Sequence, residues 1–258
     1  MFMLADHQFH VEGEALPRDT DAATLRTLLG AGIRFRTPVS GAVYGTLLND
    51  RDALEAMGAA LAQPPYQAPP KAPILYLRPR NTWSGHRARV AVPDAEPGVV
   101  VGGALGIVIG RPAVHVAVAE AMDVVAGYTA LGDLCIPHES VYRPAVPLRA
   151  RDGFCVIGPA LVAKRFLANP DAVRIAITIN EQPTFVTTTA ACIRGVAQLL
   201  ADVTEFMTLL PGDVLMLGVP HGAPVAHAGD TVQVHIADWE PLTFSLHAED
   251  AVAAEGRS

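Results

Sequence analysis

An α+β domain, mainly β, is predicted by three features of this sequence. Most apolar runs are short and rich in Val and Ile, a single segment carries a sustained helical repeat, and strand-like and helix-like stretches seldom alternate as βαβ units would require.

Taken in order, Met1 to Gly30 reads as a short extended piece followed by a helix, with Asp19 or Thr20 as its N-cap before Ala22 to Leu25. Val43 to Leu48 is strand-like, and Asn49-Asp50 is placed to cap a helix over Arg51 to Ala62. Pro64-Pro65-Tyr66-Gln67-Ala68-Pro69-Pro70 excludes helix and predicts an extended surface connector. It divides the chain into a small N-terminal extension, 1–63, and a main domain, 64–247, with a polar tail over 248–258.

Ile74 to Leu77 predicts a strand running into Arg78, and Arg89 to Val92 predicts one arm of a hairpin. Val99 to Gly110 carries no charge and suits a strand buried on both faces; it falls short of the roughly 20 residues a membrane span takes. A helical segment over Val118 to Val125 leads to a second apolar run, Ala126 to Gly132, which ends on Asp133. Val173, Ile175, Ile177 and Ile179 alternate with Arg174, Ala176, Thr178 and Asn180, the pattern of a half-buried strand, and a turn at Asn180-Glu181 returns it as Thr184 to Val186. Ile193, Val196, Leu199, Leu200, Val203, Phe206 and Met207 are spaced for one long amphipathic helix across Thr188 to Leu210. Pro211-Gly212 ends it and starts a strand over Val214 to Leu217, and Gly229-Asp230 starts another over Thr231 to Ile236.

With 258 residues, 50% of them hydrophobic and 17% charged, the chain can bury a sizeable core and still leave an apolar surface, which points to subunit contacts. A net charge of −7 with no basic stripe argues against nucleic acid. Cys135, Cys155 and Cys192 lack paired or C-x-x-C spacing and read as reduced core thiols, which together with Asp6, Glu12 and Glu14 in place of a signal-peptide pattern predicts a cytoplasmic protein.

Gly127-Tyr128-Thr129 followed closely by Asp133, the run Arg151-Asp152-Gly153-Phe154-Cys155 leading to Gly158, Pro211-Gly212-Asp213 and Gly229-Asp230 together resemble the fumarylacetoacetate hydrolase family, over roughly Pro64 to Leu246. Pro69-Pro70-Lys71 with Arg78-Pro79-Arg80-Asn81-Thr82, Tyr142-Arg143-Pro144, and Glu205 to Leu209 are similar to one branch, the isomerase/decarboxylases of 4-hydroxyphenylacetate degradation, and within it to the N-terminal half. The resemblance implies a mixed β roll. It also implies two reactions: decarboxylation of 5-oxopent-3-ene-1,2,5-tricarboxylate and isomerisation of 2-hydroxyhepta-2,4-diene-1,7-dioate.

In that family a divalent metal, Mg or Mn, is implied, held by a Glu-x-Glu pair and an Asp. The Glu positions fall here on Gly102 and Ala104, and the Asp position on Asp133. Mg²⁺ demands oxygen ligands at about 2.1 Å, and Gly and Ala offer none from their side chains. The expectation is therefore that this chain alone does not hold the metal. It would act as a homo-oligomer or beside a homologous, metal-bearing subunit; the alternatives are a silent structural partner and a homodimeric acylpyruvate-type hydrolase with a site rebuilt from Asp133, His138 and Glu139. The His-Glu pair that hydrolytic relatives carry near Asn49 to Met57 has no His here, only Asn49, Asp50, Asp52 and Glu55.

The candidate catalytic residues are Asp133, His138, Glu139 and Arg149. Asp133 reads as a leftover ligand, a proton-transfer group or a carboxylate bonded to an Arg; His138 and Glu139 as an acid/base pair or as solvated loop residues. By the resemblance Arg149 falls where relatives carry Lys, and it is a poor proton donor, since a guanidinium keeps its proton at any ordinary pH. Arg78, Arg80, Asn81, Arg143 and Arg151, with His221 in Gly218-Val219-Pro220-His221-Gly222, are candidates for binding a di- or tricarboxylate substrate, since guanidinium groups grip carboxylates bidentately. The same arginines could instead be paired with Asp133, Glu139 and Asp152.

Overall fold

The computed structural model describes residues 2–3, 22–31, 39–142 and 145–249. Its spine is an antiparallel pair made by the two apolar runs, β6 (Val99–Ile109) and β7 (Val125–Cys135), aligned so that Gly102 faces Asp133 and Ala104 faces Leu131. Only Val100 on β6 and Ala126 on β7 escape full burial, as charge-free runs rich in β-branched residues require. β7 continues through Asp133 to Cys135, so the carboxylate lies inside a buried strand rather than just after one.

Around this spine lie β1 (Phe2–Met3), β2 (Val43–Leu47), β3 (Ile74–Arg78), β4 (Trp83–Gly85), β8 (Cys155–Ile157), β9 (Leu161–Ala163), β12 (Val214–Met216) and β13 (Val225–Ala226). Among the described residues they form a 10-stranded sheet whose main path runs β1-β9-β7-β6-β12-β2-β3. A second, 5-stranded sheet comprises β5 (Arg89–Val92), β10 (Arg174–Ile179), β11 (Gln182–Thr188), β14 (Thr231–Ile236) and β15 (Leu242–Ala248), in the order β11-β10-β14-β15-β5. One face of the spine packs on this second sheet: Val101, Leu105 and Ile107 join Ile175, Val234 and Phe244 in one core. The other face, with Ala104, Val108 and Leu131, joins Val43, Val214 and Met216 in a second core, and Asp133 shares its side of β7.

The mainly-β class is thus observed, with several differences in detail. The long helix is α4 (Val196–Thr204), after α1 (Ala22–Gly30), α2 (Arg51–Met57) and α3 (Val146–Arg149), and it is much shorter than Thr188 to Leu210. Thr188 belongs to β11, Gly195 is the N-cap, and the segment between them is held elsewhere: Asn49 accepts from the Ile193 and Arg194 amides, and Asp50 bridges to Cys192. Val196, Leu199, Leu200 and Val203 are buried as predicted, but Ile193 and Phe206 are exposed.

Arg89 to Val92 pairs in parallel with β15 instead of forming a hairpin arm. The proline segment makes turns, and Val118–Val124 is a 3-10 helix. β2, counted with the N-terminal extension by the sequence, pairs with β12 and β3 inside the large sheet. The α1 cap and most of the tail lie outside the described residues.

Candidate functional site

Alternate residues of a strand share a face, so Tyr76 and Arg78 of β3 project together. Both meet Asp133, which is 2% exposed. Asp133 Oδ1 accepts from Arg78 Nε at 2.7 Å and lies 2.6 Å from Arg78 Nη2; Oδ2 accepts from Arg149 Nη1 at 2.9 Å and from the Tyr76 hydroxyl at 2.9 Å. Arg78 also donates from Nη2 to the Leu134 carbonyl at 2.6 Å and from Nη1 to the Arg149 carbonyl. A buried carboxylate persists only when paired and hydrogen-bonded, and here every oxygen is.

Two guanidiniums against one carboxylate leave a net positive charge, carried by Arg149, whose Cζ lies 4.6 Å from the Tyr76 ring centroid. Among the described residues its Nε is buried without a partner. Burial, then the adjacent Asp133 charge, push the Tyr76 phenol well above its ordinary range, so it remains a proton donor to that carboxylate.

These residues do not fit the divalent cation that the family resemblance implies. Asp133 has both oxygens taken by donors. A Cβ at Gly102 would collide with the methyls of Val219, and Ala104 is fully buried. Among the described residues, no group of three or more His, Cys, Asp or Glu side chains is placed to hold a metal ion. Asp133, His138 and Glu139 in particular do not converge: Glu139 is exposed.

Two cavities meet at Tyr76, His138 and Arg149. The larger, about 450 Å³, is otherwise lined mainly by aliphatic side chains such as Leu75, Leu77 and Val146. The smaller, about 290 Å³, adds Thr46, Cys135, Val219 and His221. His138 Nδ1 is 2.9 Å from the Ile136 carbonyl. A carbonyl only accepts, so in the neutral ring Nδ1 carries the hydrogen and Nε2 is left as the basic nitrogen. Burial holds the neighbouring Cys135 thiol up at about 11, so it is not a nucleophile at neutral pH, and buried Cys155, pushed to about 12, is a core residue as expected.

The other predicted residues are distributed differently. Arg78 is locked in the Asp133 bridge. Arg80 is exposed and, with Arg78 and Trp83, lines a third cavity of about 400 Å³ that shares Leu77 and Pro79 with the larger one. Asn81 donates to Asp152 Oδ1 at 2.8 Å and to the Ala150 carbonyl at 3.0 Å, and Arg151 Nε donates to the Pro147 carbonyl at 3.0 Å. His221 donates its amide to Asp50 Oδ1 at 3.2 Å, and that carboxylate oxygen also caps α2 through the Ala53 amide at 2.9 Å. Arg143 lies outside the described residues.

Sequence reasoning missed Tyr76, although its spacing of two from Arg78 on a predicted strand was the available signal. It also missed Asn49, whose Nδ2 donates to Leu217 O at 2.7 Å and to Arg194 O at 3.0 Å, tying the loop that carries Val219 and His221 to α4.

The family model for the fumarylacetoacetate (FAA) hydrolase C-terminal domain matches residues 42–246. The 4-hydroxyphenylacetate degradation bifunctional isomerase/decarboxylase of Escherichia coli is 37% identical over 204 residues, covering 79% of this chain and 46% of that protein, so the chain spans about half the length of this relative. The crystal structure of 5-carboxymethyl-2-hydroxymuconate delta-isomerase from Mycobacterium smegmatis superposes with a TM-score of 0.72 at 27% identity, covering 85% of this chain and 84% of that one. Fumarylpyruvate hydrolase from Pseudomonas aeruginosa, solved in complex with Mn²⁺ and pyruvate, shares the fold at a TM-score of 0.69 and 19% identity over 83% of this chain and 91% of that one. With the match running from just before β2 into β15, the chain belongs to the fumarylacetoacetate hydrolase family.

Proposed function

We propose that this chain is an isomerase-type enzyme acting on a small 2-hydroxy-dienoate, with the Arg78–Asp133–Arg149 bridge supplying the positive charge that relatives obtain from a metal. The observation that carries this reading is that Arg149, with surplus charge, and His138, with a basic nitrogen, line the same two cavities. Arg149 binds the substrate carboxylate and enol oxygen. His138 Nε2 takes the enol proton, the dienolate charge is stabilised beside the guanidinium, and the imidazolium returns the proton to the far carbon of the conjugated system. No proton is gained or lost overall, as isomerisation requires. Decarboxylation, which in the family draws on the metal, is assigned to a homologous metal-bearing subunit.

The expectation of a di- or tricarboxylate needs more than one guanidinium at the cavities. Among the described lining residues Arg149 supplies one, and Arg80 lines the adjoining cavity that shares Leu77 and Pro79 with the larger one.

The purified chain, assayed by the absorbance change of a 2-hydroxy-dienoate, is expected to turn over equally with Mg²⁺ and with EDTA. His138→Ala should lower kcat by about 10²-fold or more, in line with the usual contribution of a general base. Turnover abolished by EDTA would refute the metal-free assignment.

A second reading, a silent partner of a metal-bearing homologue, is favoured by the apolar surface of the sheet edge, where Leu77 is 63% exposed. It is the correct one if the chain is inactive alone, activity appears on mixing with that homologue, and His138→Ala leaves the mixture unaffected.

A further inference from the structure

In the antiparallel pairing of β2 with β3, Gly45 stands directly opposite Tyr76, so a side chain at position 45 would share a face with the phenol. The ring folds across the neighbouring strand onto that glycine: a Cβ at Gly45 would land on the ring carbons and hydroxyl of Tyr76. A glycine inside a strand often marks such a close approach. The far end of the ring is held in place, its hydroxyl donating to Asp133 Oδ2 at 2.9 Å and lying 3.9 Å from Met216 Sδ.

The Arg149 guanidinium sits 4.6 Å from the centroid of this ring. Its Nη1 is bound to Asp133 Oδ2 at 2.9 Å, a single point about which the group could otherwise swing. Attraction between the cation and the ring face removes that freedom and fixes where the remaining nitrogens are presented. We propose that Tyr76 is a positioning residue: its ring, admitted by Gly45, orients Arg149 toward the two cavities that both side chains line. This rests on the reading above in which Arg149 takes the carboxylate. A cation oriented before the ligand arrives loses little rotamer freedom on binding, so the ring strengthens binding through Arg149.

The test takes two readouts on the full-length protein: the nuclear magnetic resonance signal of the Arg149 Hε, identified by its disappearance in Arg149→Lys, and the affinity for pyruvate by calorimetry. A guanidinium over a ring face has its signal displaced upfield by the ring current. Tyr76→Leu and Gly45→Ala, with folding checked by melting curves, are each expected to move that signal downfield and to weaken pyruvate binding by about tenfold or more, the equivalent of one charge-assisted hydrogen bond. Tyr76→Phe loses the hydroxyl but keeps the ring, and is expected to hold the upfield position and most of the affinity. In the Tyr76→Leu background Gly45→Ala should add nothing, since no ring is left to displace. Should Gly45→Ala not fold, the contrast between Tyr76→Leu and Tyr76→Phe decides. An Arg149 signal unmoved by Tyr76→Leu, or losses of pyruvate binding that simply add in the double variant, would overturn the proposal. A protein that shows the expected signal changes but does not bind pyruvate would uphold Tyr76 as the residue that orients Arg149 and remove the carboxylate reading instead.

Discussion

Asp133 is the residue on which the site turns, because its ion pairs are buried and therefore costly to break from one side. Asp133→Ala would strand Arg78 and Arg149 as uncompensated charges, and denaturant unfolding is expected to show a loss of about 3–5 kcal/mol, the usual cost of leaving a buried charge without its partner. A loss under 1 kcal/mol would mean that the bridge is not formed in solution. His86 offers a separate test. Its Nδ1 accepts from the Thr243 amide at 3.2 Å, which needs the neutral ring, and burial, followed by the nearby Arg87 charge, lowers its pKa to about 4. The unfolded value lies near 6.5, so the contribution of His86 is complete above pH 6.5 and is lost as pH falls toward 4. His86→Asn, which keeps an acceptor but cannot titrate there, should flatten the stability profile across that window.

At the level of elements, the β10–β11 hairpin is built on a strained turn. Asn180 has φ 51° and Glu181 φ 65°, the double left-handed geometry of a type I′ turn. Asn tolerates this and Glu does not, so Glu181→Gly should stabilise the protein by about 1 kcal/mol, read as a rise in melting temperature. No change would indicate that the turn relaxes in solution. The shortened α4 illustrates the limit of periodicity. The spacing from Ile193 to Met207 suits a helix throughout, but backbone groups before Gly195 are claimed by Asn49 and Asp50, more than a hundred residues earlier in sequence. Tertiary hydrogen bonds outweighed local propensity, and no local pattern announces them.

For the whole molecule, the placement of β2 between β12 and β3 makes the N-terminal segment part of the main sheet. A chain beginning at Pro64 would leave β3 without its partner strand and expose β12, so it is expected to be insoluble or to lack the native circular dichroism spectrum. A soluble, cooperatively melting product would show that the proline segment is a true domain boundary. No helix among the described residues is long and apolar enough to cross a membrane.

The amino-acid order alone was enough for the mainly-β class, for most strands and for Asp133 as a marked position. These are local properties: period-two alternation, charge-free runs, turn residues, and side chains that possess or lack a donor atom. What Asp133 does was decided only in three dimensions, because both arginines and Tyr76 reach it from segments remote in sequence. Of the arginines grouped by the sequence, the fold locks Arg78 into that bridge and brings Arg149 to the two cavities, while Arg80 lines the adjoining one and Arg151 is bonded to the Pro147 carbonyl. Proximity in sequence cannot choose among such partners; strand register and the cost of burying an unpaired charge do.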